Sequence, residues 1–121
     1  MKLCWVTLHV RDLSVSLKFY RDLLGLKISN QMKIKEGLEI VFMSGDGEAR
    51  IELICDKNVI VEKKDHSFSV GLDVENLDEL VKRAKSSGGV NVVGPIKPNP
   101  HVRFYMLSDP DGYTIQLVET K

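Results

Sequence analysis

Glu52 and Gln116 stand at matching points of two similar stretches, "SGDGEARIEL" (Ser44 to Leu53) and "SDPDGYTIQL" (Ser108 to Leu117). Each begins with Ser, turns through Asp and Gly and enters an apolar run, the pattern of a β-hairpin. A carboxylate can serve as a general base or a metal ligand, whereas its amide isostere takes up no proton at ordinary pH. The other residues able to do chemistry are His9, His66, His101, Cys4 and Cys55. Their spacing forms no metal or redox motif, and in a reducing compartment the two cysteines are expected to be small core residues.

The elements that must position these residues follow from hydrophobic periodicity. "KLCWVTLHV" is rich in β-formers, and from Ser14 the pattern changes to Leu13, Leu17, Tyr20 and Leu24 at helical spacing, closed by Gly25. A strand near Lys27 to Ile34 is expected next, and then the hairpin "LEIVFMS" and "ARIELIC". After the polar connector "DKNVIVEKKD" the order restarts. "FSVGLDV" reads as a strand, and Leu77, Leu80, Val81 and Ala84 as a helical stripe ended by Gly88 and Gly89. A short strand around Asn91 to Val93 then leads through the breaker-rich "GPIKPNP" into "VRFYMLS" and "YTIQLVE".

Both halves therefore read βαβββ, and arithmetic tests the repeat. Glu52 and Gln116 are 64 residues apart, and so are Val10 and Val74, and Leu13 and Leu77. One offset aligns the strand-to-helix junctions and the hairpins together, which Asp-Gly turns alone would not require. The expectation is an α+β fold in one domain, residues 1–121, with module 1 at about 1–58 and module 2 at about 65–121.

Strand alternation sorts residues between faces. Trp5, Thr7 and His9 share one side of the first strand; Cys4, Val6, Leu8 and Val10 share the other, which is uniformly apolar and suited to packing under a helix. Glu52 faces away from Ile51 and Leu53, and Gln116 away from Ile115 and Leu117, so both point where water or a ligand can reach. A buried Glu52 would need a partner, and His9 on the adjoining strand is one candidate.

The chain has 17 basic and 17 acidic residues and no Lys/Arg run, so nucleic-acid and membrane-surface roles are not expected. "MKLCWVTLHVRDL" is too short an apolar stretch for a leader or a membrane span, and a cytoplasmic location is expected.

"VTLHVRDLSVSLKFYRDLLGLKI", "RIELI", "KRAKSSGGVNVVGP" and "DPDGYTIQLVE" resemble, in order and over essentially the whole chain, the vicinal oxygen chelate superfamily. That group contains glyoxalase I, bleomycin-resistance proteins, fosfomycin-resistance enzymes and extradiol dioxygenases. The resemblance implies paired βαβββ modules whose mixed sheets curl around a concave small-molecule site, often in a homodimer. In metal-dependent members the ligands are a His or Glu on the first strand of each module and a Glu on the last. Those positions are Trp5, Glu52, Ser69 and Gln116 here, and only Glu52 is an ordinary ligand.

No metal and no other cofactor is therefore expected. His9 lies about 6–7 Å along the strand from Trp5, too far for a simple replacement, and His66 and His101 read as surface or rim residues. The glyoxalase base position of the second module is Gln116. The extradiol tyrosine position is Met106, with Tyr105 one place off on the other face. By the same resemblance Trp5, Thr7, His9, Phe42, Glu52, Ser69, Phe104, Met106 and Gln116 line a ligand pocket, with Glu52 the one catalytic candidate. The reading that follows is a metal-free small-molecule binder. The alternatives are a divalent-metal glyoxalase I-like lyase with unusual ligands and a domain whose cavity is filled by its own side chains.

Overall fold

The structure, a computed structural model, describes residues 1–62 and 67–120. The chain divides into two compact units, Met1–Glu62 and Lys63–Lys121. The first contains β1 (Trp5–His9), α1 (Leu13–Leu17), β2 (Lys27–Lys35), β3 (Leu38–Ser44) and β4 (Arg50–Asp56). The second contains β5 (Ser69–Asp73), α2 (Leu77–Ser86), β6 (Val92–Asn99), β7 (Val102–Ser108) and β8 (Thr114–Thr120). Each unit is a βαβββ module with one four-stranded mixed sheet, ordered β1-β4-β3-β2 in the first and β5-β8-β7-β6 in the second. The first strand of each runs parallel to the last, and the remaining pairs are antiparallel.

The 64-residue offset holds at the level of single pairs. Trp5 is opposite Arg50 as Ser69 is opposite Thr114, and Ser44 meets Arg50 as Ser108 meets Thr114. Even the helix caps, Asp12 and Asn76, obey it. The face assignment also holds: Leu8, Val10, Ile51 and Leu53 are buried in the first unit, and Ile115 and Leu117 in the second. Among the described residues no helix is long and apolar enough to cross a membrane.

Asp12 starts α1 by accepting at Oδ1 from the Ser14 hydroxyl at 2.7 Å and the Ser14 and Val15 N–H groups at 3.0 and 3.3 Å. The Ser14 hydroxyl, followed by the Val15 N–H, holds the Asp12 carboxyl below its ordinary value of 3.8. A depressed carboxylate stabilises the fold fully above its unfolded-state value and loses that contribution as the pH falls through the folded-state one. Asp12→Ala should therefore lower the melting temperature near neutral pH, and the gap from wild type should close below the ordinary 3.8. Paired thermal melts across acidic pH check this.

The first helix does not keep the expected stripe. After Leu17 it continues as a π-helical turn, Lys18–Leu23, in which the Leu24 N–H reaches the Phe19 carbonyl at 3.0 Å. Five-residue bonding widens the turn, so Phe19, Tyr20 and Leu23 are buried while Leu24 is only half-buried.

The strand expected to stop near Val93 runs on through "GPIKPN" as β6. It is the edge of its sheet, where proline's missing N–H costs no ladder bond, and its register is irregular between Val93 and Ile96 and between Ile96 and Asn99. Gly94 within it has φ +142°, and a Cβ there would lie 2.8 Å from the Tyr105 ring. Gly94→Ala should cost about 2 kcal/mol through strain and that clash, readable as a lowered denaturation midpoint.

The cysteine expectation is corrected. Cys4 is exposed, because β1 begins only at Trp5, and Cys55 is half-buried near the end of β4 with its Sγ 3.7 Å from the Arg11 carbonyl; both are free thiols.

Candidate functional site

In the first unit, strand register assembles a mixed aromatic and polar face. Thr7, Glu52 and Phe42 occupy one rank across β1, β4 and β3, and Trp5, Arg50 and Ser44 occupy the next. Glu52, half-buried, accepts a 2.5 Å hydrogen bond from the Thr7 hydroxyl. The sequence pointed to His9 as that partner, but in-register parallel pairing sets Thr7 beside Glu52 and places the exposed His9 opposite Ile54.

Trp5 stays 44% exposed and meets the buried Phe42 edge-to-face, with ring centroids 5.3 Å apart. The Arg50 guanidinium lies 5.4 Å from the Trp5 ring centroid and 4.8 Å from that of Phe42. Sequence reasoning missed Arg50. Its signal was present, since it lies two residues before Glu52 and so shares that face.

In the second unit the corresponding face carries Gln116, with Gly71 and Met106 in its rank. Its Nε2 donates to the Ser69 hydroxyl at 3.0 Å. Ser69, Met106 and Gln116 line a pocket of about 450 Å³ together with Asn91, Val93, Leu107, Ser108 and Thr114, five residues not anticipated there. Phe104 lies on the same side of β7 as Met106, half-buried and opposite Val118, but is not part of the pocket lining. Tyr105 is buried on the other side. His101 lines a separate cleft of about 340 Å³, in which Arg103 bridges Asp78 and Glu119 at 2.9 and 3.0 Å. His66 lies outside the described residues.

The four positions that metal-dependent relatives use for ligands hold a poor donor set. Glu52 is engaged by Thr7, Gln116 and Ser69 satisfy each other, and Trp5 contributes an indole that cannot ligate. The first unit thus offers one carboxylate beside an indole, and the second an amide beside a hydroxyl; neither pair by itself has the charge and donor number that a divalent ion takes from protein. Among the described residues, no three His, Cys, Asp or Glu side chains gather as a metal-holding group. Of the four positions, Glu52 alone carries an ordinary metal ligand.

The sequence profile of the Glyoxalase/Bleomycin resistance protein/Dioxygenase superfamily matches residues 2–117. The chain belongs to that superfamily. The lactoylglutathione lyase of Haemophilus influenzae is 30% identical over 128 residues, covering 100% of this chain and 94% of that one. The Escherichia coli O157:H7 protein of the same name is 32% identical with the same coverage. Among solved structures, the trypanothione-dependent glyoxalase I of Leishmania major superposes with a TM-score of 0.80 at 26% identity, over 98% of this chain and 86% of that one. An antibiotic-binding protein from Streptomyces sp. CB03234 gives 0.77 at 23% identity over 100% and 97%, a likeness of fold.

Proposed function

We propose that this superfamily member is a metal-free small-molecule-binding protein whose ligand packs a planar group against Trp5. The supporting observation is the Trp5, Phe42 and Arg50 cluster beside the Thr7–Glu52 pair, an exposed aromatic surface next to polar groups with defined positions. Binding to such a surface requires no Lewis acid. A ligand gains apolar contact and stacking from the indole and orientation from the polar groups. The fold accommodates a binding role, as the antibiotic-binding relative illustrates.

A second reading has its own support in the lactoylglutathione lyases that match the whole chain. Under it Glu52 is the base and a divalent ion is gained from ligands other than the four family positions. The experiment that separates the two uses chelator-stripped protein. It compares the ligand-induced rise in melting temperature across a panel of planar aromatic compounds with the rate of lactoylglutathione formation in added Zn2+ or Ni2+. The binder reading expects a thermal shift without metal and no lyase rate above the metal-only blank. Stoichiometric metal retention with lyase turnover overturns it.

A further inference from the structure

Resting on the binder reading, the geometry points to the class of ligand: a small aromatic carboxylate that carries a hydrogen-bond donor at its far end. Arg50 carries the charge that such a ligand would meet. Among the described residues its guanidinium has no carboxylate partner, and what it meets are the Trp5 and Phe42 rings. A cation held over aromatic rings keeps its charge, and the N–H groups at the edge of the guanidinium remain able to donate. These N–H groups form a planar fork that matches a carboxylate with two parallel bonds.

Glu52 would be the natural partner, two residues away on the same face, but it takes the Thr7 hydroxyl instead. The face therefore offers an unused cationic fork at one rank and a carboxylate with a remaining oxygen at the next. Their backbone positions are about 7 Å apart along the strand. A ligand satisfies both when its anionic group meets Arg50 and an N–H or O–H reaches Glu52, with its ring against the exposed indole of Trp5, which shares the rank of Arg50. A para-substituted benzoate places its anionic group and its donor at opposite ends of one rigid ring, which suits two groups carried on separate long side chains. The negative charge of Glu52 on the same face favours a singly charged carboxylate over a phosphate dianion.

The test uses the full chain and four probes: 4-hydroxybenzoate, benzoate, neutral 4-hydroxybenzamide and phenyl phosphate. Trp5 is the sole tryptophan, so its fluorescence reports occupancy of this face directly. The expected result is that 4-hydroxybenzoate binds tightest, and that losing either the charge (the amide) or the donor (benzoate) weakens binding about tenfold or more. Arg50→Gln should weaken 4-hydroxybenzoate about tenfold or more and the amide by clearly less, because only the acid loses a charge-assisted pair. Arg50→Lys, which keeps the charge but not the fork, should fall between. Equal binding of acid and amide, or an Arg50→Gln chain of unchanged affinity, overturns the ligand class while leaving a pocket at Trp5. Tighter binding of phenyl phosphate overturns the choice of carboxylate. No response from any probe, with no thermal shift from the wider panel, overturns both this inference and the binder reading.

Discussion

Trp5→Ala is expected to weaken the binding of planar ligands by about tenfold to a hundredfold while the protein remains folded. The indole supplies the exposed surface of the cluster, and stacking on an aromatic side chain contributes on the order of 1–3 kcal/mol per ring. Its structural contribution is smaller. At 44% exposure it leaves much of its surface in water, and its main internal contact is one edge-to-face pair with Phe42, of about 0.5–1.5 kcal/mol. The substitution should therefore lower stability by only about 1–2 kcal/mol, and Trp5→Phe should recover part of the binding. Because the variant has no tryptophan, calorimetric titration with 4-hydroxybenzoate and far-ultraviolet circular dichroism are the appropriate measurements. Unchanged affinity would remove Trp5 from the site, and an unfolded variant would show the indole to be core.

How legible this was depended on the kind of information required. The repeat was fully legible, since strand pairing and capping are local consequences of periodicity and the offset from Glu52 to Gln116 carries across every register pair of the two hairpins. The faces were legible for the same reason, and Leu8 and Gln116 stand where alternation places them. What failed was whatever depends on hydrogen-bond geometry rather than period. The π turn at Phe19 follows from the Leu24 N–H taking the carbonyl five residues back rather than four, a choice that the apolar pattern does not encode. The passage of β6 through Pro95 and Pro98 required knowing that it is an edge strand. At the site, Glu52 and Trp5 stood out by type, but Thr7 as the partner required the exact register of β1 on β4, and Arg50 was not singled out because its contact with two rings is not written in its spacing. An aromatic shelf beneath an arginine is a tertiary fact.

The second large effect is expected at the β7–β8 turn, where the two hairpins differ most. Asp109 is buried and accepts from the Asp111 and Tyr113 N–H groups at 2.9 and 2.8 Å, while its own N–H donates to the Tyr113 carbonyl. Its counterpart in the first hairpin is Gly45, which is exposed. Two related turn sequences thus make an exposed loop in one module and, in the other, a closed one that packs Tyr113 into the core. Asp109→Ala would leave two buried N–H groups without an acceptor, at about 1–3 kcal/mol each. The expected loss is about 3 kcal/mol, or about 12 °C in melting temperature for a chain of this size. Asp109→Asn, which keeps an acceptor oxygen but not the charge, should lose about half as much. An alanine variant as stable as wild type in urea denaturation would mean that water reaches those N–H groups and that the turn does not anchor the strand carrying Gln116.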